Sequence, residues 1–283
     1  MSGFSADWLA LREPYDLRAR NLAVLDAVVA AFAEHPSVAV VDLACGTGST
    51  VRALAPRLPA RQAWRLVDND IGLLARASVT LAPTRVTVTA VPLDLNVDLE
   101  AALNAPIDLL TASALLDLVS GDWLERLAVE TAVRAVPVYA ALSYDGRVSF
   151  DPSDAADAEI VAAINTHQRR DKGFGPALGP AAATTATARF EALGYRVTHG
   201  TSDWVLGPGD RDIQSEICTG WTGAARETGM LSRSVLTGWL TRRRAAITAD
   251  RSSLQVGHVD LFAQPTGTRW ADRSQSSSRS PSS

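Results

Sequence analysis

The run Val38-Ala39-Val40-Val41-Asp42-Leu43, continuing into Ala44-Cys45-Gly46-Thr47-Gly48-Ser49-Thr50, constrains the fold more than any other stretch. Three valines in six residues, with no polar side chain before Asp42, describe a short strand buried on both faces. Two glycines then turn the chain, and a helix follows near 50–57. Upstream, Leu22, Leu25, Val28, Val29 and Phe32 keep helical spacing until Pro36 ends the helix. A strand buried on both faces needs helices on each side, which calls for parallel strands joined by crossovers.

The alternation continues. Residues 63–68, 86–92, 107–112 and 136–144 read as strands; 71–81, 99–103 and 122–135 read as helices. Repeated strand–helix units predict a doubly wound, Rossmann-like α/β sheet of seven strands, mostly parallel with an antiparallel last strand. After residue 150 the pattern changes. Residues 154–168 read as a helix, and the Gly- and Pro-rich 169–182 as a loop able to serve as a lid. A helix over 183–193, a strand over 195–206, helices over 212–227 and 232–248, and a strand over 254–263 complete the series. The expected organisation is a helical segment over 1–35 and one domain over 36–265. That domain carries the loop or lid within 151–182 and a helical insert at 207–250. The Ser-rich stretch 266–283 should be a disordered tail.

Composition narrows the function. Of 283 residues, 47% are hydrophobic and 20% charged, as in ordinary globular proteins, and the net charge is −4. That balance does not favour a nucleic-acid partner. Cys45 and Cys218 cannot build a disulfide framework, and both are expected reduced in a cytoplasmic protein. No stretch reads as an export signal or a membrane span. None of His35, His167, His199 and His258 pairs at metal-binding spacing, so no metal site is expected. Lys172 is the only lysine, which with the heavy use of alanine points to a GC-rich bacterial genome.

The glycine turn carries the chemistry. A dinucleotide fingerprint would set a third glycine where Val51 stands. Asp42, four residues before Gly46, would repel a pyrophosphate but suits a cationic ligand without phosphate. Asp42-x-Ala44-x-Gly46-x-Gly48 resembles motif I of the class I S-adenosylmethionine-dependent methyltransferases. The resemblance runs on in order over about residues 38–145. Asp68 stands where that family places the ribose-binding carboxylate, and Asn69 where a residue lies against adenine. Asp94 and Leu95 follow the third strand, where the adenine amino group is met. Ser113 follows the fourth, where methyl donor and acceptor meet. The resemblance therefore implies S-adenosylmethionine as cofactor, with S-adenosylhomocysteine as product. The usual glycine at position 44 is alanine here. Thr111-Ala112-Ser113 lacks the Asn/Asp-Pro-Pro-aromatic signature of enzymes that methylate amino groups of adenine, cytosine or glutamine.

The acceptor side has no such signature. His167, ahead of the glycine loop, is a candidate general base or an ordinary helix-end histidine. Tyr15, Arg18, Gln168 and Phe174 are candidate acceptor contacts, with Tyr15 or Arg20 also able to meet the cofactor carboxylate. Asp117 faces the site or opens the next helix. Arg242-Arg243-Arg244 reads as a solvated helix face rather than a nucleic-acid contact. The leading expectation is methyl transfer to O or N of a small-molecule acceptor, by a monomer or homodimer. The alternatives are an RNA or protein methyltransferase, an NAD-dependent oxidoreductase, or a cofactor-binding protein without turnover.

Overall fold

The computed structural model describes residues 4–59, 61–77 and 86–266. The expected tail, and the end of the expected helix 71–81, lie outside the described residues.

The order of elements is α1 (Ala6–Ala19), α2 (Leu22–Phe32), β1 (Ser37–Leu43), α3 (Ser49–Leu54), β2 (Arg61–Asp68), α4 (Ile71–Arg76) and β3 (Val86–Pro92). Then come α5 (Leu99–Ala102), β4 (Leu109–Ser113), α6 (Gly121–Arg134), β5 (Val138–Asp151), α7 (Asp157–Gln168), α8 (Ala182–Ala192) and β6 (Tyr195–Thr201). The last elements are β7 (Trp204–Leu206), α9 (Arg211–Thr228), α10 (Arg233–Thr248) and β8 (Ser253–Pro265). The sheet runs β3-β2-β1-β4-β5-β8-β6, with β7 pairing β8 off that path. The first five strands are mutually parallel, and β8 is antiparallel to β5, β6 and β7.

This is the expected doubly wound sheet, with three differences of detail. The strand expected over 195–206 divides, because Ser202 donates its backbone N–H to His258 at 2.9 Å where the chain turns from β6 to β7. β5 runs to Asp151 rather than ending near 144. It keeps pairing with β8 across two register shifts, one at Leu142 with φ 56° and one around Gly146. The N-terminal segment is two helices, because Arg20 leaves helical geometry and the Asn21 side chain caps α2 by accepting from Val24 N–H at 3.1 Å.

Two cores flank the sheet. Leu99, Trp123, Leu124, Leu127 and Phe190 pack α5, α6 and α8 on one face. Val24, Val28, Phe32, Val51, Leu54 and Leu74 pack α2, α3 and α4 on the other. Trp204 and Leu206 of β7, with Ile213 and Ile217 of α9, build a further core where α1 and α9 pack on the β5, β7 and β8 end of the sheet.

The late helices α7, α9 and α10 form their own cluster around Ile160, Cys218 and Trp239. Here the arginine cluster departs from a solvated face. Arg243 is buried, bonds both Asp157 oxygens at 2.5 Å, and lies 4.2 Å from the Phe150 ring centre. Arg242 pairs with Asp154 and Arg244 with Thr219. The triplet pins α10 to α7 and α9; helical periodicity could not show that its middle member points inward.

Candidate functional site

The carboxyl ends of β1 to β4 open into one cavity of about 650 Å³. A crevice at this end of an open parallel sheet is where such folds place ligands.

The glycine turn forms its floor. Ala44, Gly46 and Gly48 all have positive φ, at 51°, 54° and 82°. The turn is held by Asp68 at the end of β2, whose Oδ2 accepts Gly46 N–H at 2.8 Å while Oδ1 accepts Asp70 N–H at 3.0 Å. A carboxylate has about four lone-pair positions, so each oxygen retains one for a ligand hydroxyl. A Cβ on Gly46 would stand 3.1 Å from Leu9 Cδ1 of α1. The turn is therefore roofed by α1 as well as floored by the sheet.

α1 is fastened across that turn. Glu13 takes the Arg52 guanidinium of α3, and Arg52 also donates to the Thr47 carbonyl at 2.7 Å. Further along, Arg12 donates to Asp16 at 2.9 and 3.1 Å and lies 4.9 Å over the Trp204 ring, whose Nε1–H also reaches Asp16 at 3.0 Å. Phe4, Leu9, Arg12 and Asp16 thus enter the cavity wall.

Most residues expected to hold the cofactor come together here. Ala44, Gly46, Asp68, Asn69, Asp94, Leu95 and Ser113 all line the cavity. Asp42 and Gly48 do not. Asp42 is wholly buried within the sheet, where Thr111 Oγ1 donates to it at 2.7 Å and its other oxygen has no partner. Burial lifts its carboxyl to about 7. Its place is behind the glycine turn, because the side chain projects sideways toward β4. Gly48 is the residue just before α3, where its left-handed φ of 82° turns the chain into the helix. Cys45 lines the cavity, and burial pushes its thiol well up, against any nucleophilic role.

The acceptor-side expectations divide. Phe174 lines the cavity, its ring edge-on to Trp123 at 5.4 Å. Tyr15 and Arg18 point elsewhere. The Tyr15 hydroxyl donates to Asp210 at 3.0 Å, and Arg18 stacks on the Tyr15 ring, both toward the turn before α9. Leu9, Arg12 and Asp16 share one face of α1, and Tyr15, one position before Asp16, points about 100° away from it. His167 and Gln168, at the end of α7, do not line the cavity either; His167 Nε2 lies 3.0 Å from Glu227 of α9. Arg20 is buried, donating to Tyr139 at 3.1 Å and Ser113 at 3.4 Å, so it braces the sheet.

Within 151–182, the helix expected over 154–168 is α7. The loop expected over 169–182 is tied to the segment after β4 by Leu178 N–H to the Val119 carbonyl and Gly179 N–H to the Asp117 carbonyl, at 2.8 and 3.0 Å. Between these ties and α7, the chain presents Lys172 and Phe174 to the cavity. Asp117 lies buried behind the wall, with one oxygen unpartnered, and burial raises it to about 6.

Arg12, Asp16 and Lys172 are cavity residues that sequence reasoning missed. The first two meet Trp204 only through tertiary packing, so nothing local marks them. Lys172 carried one mark, being the single lysine. Among the described residues no cluster of three or more acidic, His or Cys side chains could hold a metal ion, and no helix is long and apolar enough to cross a membrane.

No protein-family model matches the sequence, and no curated protein does. Among solved structures, a cyclopropane synthase from Mycobacterium tuberculosis is similar over 92% of this chain and 95% of its own, at 11% identity and a TM-score of 0.49. A cyclopropane-fatty-acyl-phospholipid synthase-like protein from Lactobacillus casei is similar over 89% and 98%, at 15% and 0.49. A mycolic acid cyclopropane synthase solved with SAH and CTAB is similar over 86% and 83%, at 10% and 0.45. These are likenesses of overall fold, and no activity passes from those proteins to this chain.

Proposed function

We propose that this chain is an S-adenosylmethionine-dependent methyltransferase that moves a methyl group to O or N of a small-molecule acceptor by in-line displacement. The observation that carries the reading is the charge and shape of the cavity floor. Asp68, Asp70 and Asp94 line the half nearest β2 and β3, together with the bare turn at Gly46, and no Lys or Arg stands among them. A pyrophosphate would find no cationic side chain there and three carboxylates close by. A ligand with ribose hydroxyls, an adenine ring and cationic groups would meet acceptors.

In this reading Asp68 accepts the ribose hydroxyls through its remaining lone pairs, as its geometry permits. Leu73, Leu93 and Leu95 give apolar surface for a base, with Asp94 beside them for an exocyclic amino group. Ser113 and the Gly46 turn face the methionine portion. Bound there, the cofactor supplies an activated methyl group on a sulfonium. The protein's remaining tasks are to position the acceptor, exclude water and accept a proton. Phe174, Leu115 and Leu118 offer the apolar wall for the first two.

Calorimetry and thermal melting test the reading. S-adenosylhomocysteine should bind and raise Tm, and NAD should do neither. Stabilisation by NAD with none by S-adenosylhomocysteine would overturn it.

A further inference from the structure

The cavity has one flexible cation, and it is wired to the outside. Lys172 Nζ lies 3.2 Å from His167 Nδ1, and His167 Nε2 lies 3.0 Å from Glu227 Oε2. With Nδ1 accepting from the ammonium, Nε2 bears the hydrogen that reaches Glu227. Glu227 is itself largely solvent-exposed. Lys172 lines the cavity, whereas His167 and Glu227 do not. The three side chains thus form a line from the interior of the cavity to water. An ammonium has three donors, and a single one goes to His167.

The surroundings of Lys172 are unusual. Burial lowers its pKa, with Arg170 adding to the fall, against Glu227 of α9 and the buried Asp117 after β4, which draw it toward its charged form. Arg170 is held away by the Glu227 backbone carbonyl at 2.8 Å. The wall next to Lys172 is apolar: Phe174, Leu115 and Leu118. The cavity's other cation, Arg12, is already taken by Asp16 and the Trp204 ring. A ring-sized apolar surface with one relayed ammonium matches an apolar acceptor carrying one acidic hydroxyl, of phenol or enol type.

We propose that Lys172 binds the acceptor's nucleophilic hydroxyl and holds it as the oxyanion, with His167 and Glu227 carrying its proton to solvent. Lys172 first gives one proton to His167 Nδ1 while His167 gives its Nε2 proton to Glu227, which releases it to water, leaving Lys172 a neutral amine and His167 in its Nδ1–H tautomer. The acceptor O–H bond then breaks and its proton passes to the amine lone pair. Lys172 is again an ammonium, now facing the oxyanion, and the net change is one proton moved from the acceptor to water. Lys172 is the acceptor-contact residue, and His167 a positioning residue acting through it. This inference rests on the proposed methyltransferase reading, because it assigns the acceptor side of that same cavity.

The test uses 4-nitrophenol, whose ionised form absorbs visibly, with the full chain saturated by S-adenosylhomocysteine. Spectroscopic titration of the wild type should show bound 4-nitrophenol ionising about one pH unit lower than free. Lys172→Met should abolish that shift and weaken 4-nitrophenol about tenfold. Lys172→Arg should restore part of both. His167→Gln should reduce the shift while leaving S-adenosylhomocysteine affinity unchanged, which a merely structural role would not do. Melting curves establish that each variant is folded. If the wild type binds S-adenosylhomocysteine but not 4-nitrophenol, or if Lys172→Met keeps the shift, the Lys172 proposal is wrong and the cofactor reading stands. If the wild type fails to bind S-adenosylhomocysteine, the cofactor reading falls and this proposal with it.

Discussion

The two halves of the cavity are built by different means. The half at the ends of β1 to β3 is mostly backbone and short acidic side chains. Its glycine turn follows β1, Asp68 ends β2 and Asp94 stands two residues past β3. The other half is made of side chains from distant elements. Asp16 and Trp204, bonded at 3.0 Å, are 188 positions apart, and Lys172 arrives on a segment between α7 and α8. A site formed by strand ends is written into contiguous residues, because the sheet's winding alone brings those ends together. A site formed by side-chain walls exists only once tertiary packing is known.

The proposed function attaches the cofactor to the first half and the acceptor to the second, and variants can break or sharpen that division. The largest effect should come from Gly46→Val. A branched side chain at φ 54°, with Leu9 already 3.1 Å from the Cβ position, should cost S-adenosylmethionine binding about 3 kcal/mol by calorimetry. Affinity within a factor of two of wild type would remove the turn from the site. Asp68→Ala should cost about 2 kcal/mol in cofactor affinity. Because Asp68 also holds Gly46 and Asp70, Asp68→Asn should recover only part of it; full recovery would mean that the carboxylate's charge is idle.

On the other half, Phe174→Ala should lower turnover of the true acceptor about tenfold while leaving S-adenosylmethionine affinity within about twofold. A loss of cofactor binding in the folded variant would erase the boundary between the halves.

Behind both halves, Asp42 should make stability depend on pH. Its carboxyl is lifted to about 7 in the fold, so the folded chain keeps a proton that the unfolded chain releases near pH 4. Stability should therefore fall as pH rises from about 4 to about 7 and level off above. Asp117, raised to about 6, adds to the same fall. Urea unfolding should show Asp42→Asn removing up to about 4 kcal/mol of that decline, about 1.4 kcal/mol for each unit of the shift; an unchanged slope would mean that Asp42 is ionised in the fold. The smallest effect should come from Ala44→Gly. It relieves a non-glycine φ of 51° and should stabilise by about 0.5 kcal/mol, read as a slightly raised Tm.

The same contrast explains how far sequence reasoning reached. Period and punctuation located the central strands and helices, and the winding placed Asp68, Asp94 and Ser113 at strand ends. The extension of β5 to Asp151 was hidden, because its outer part alternates exposed and half-buried residues around Gly146. Arg12 was passed over in favour of Tyr15 and Arg18, since a helix's register against its neighbour is not written in the helix. His167 drew attention as a titratable group near a glycine loop. The structure keeps it out of the cavity but puts it one hydrogen bond behind Lys172.

The position of β8 also bears on how the chain is made. Residues 253–265 pair with β5 on one side and with β6 and β7 on the other. During vectorial synthesis, β5 therefore waits with an open edge until more than a hundred further residues have left the ribosome, and β6 and β7 have no sheet to join in the meantime. An open edge at the centre of a sheet invites pairing with a foreign strand. The first five strands can assemble as they emerge, but the sheet is sealed only by β8, so a chain interrupted before residue 253 would expose an adhesive edge rather than a shortened but closed fold.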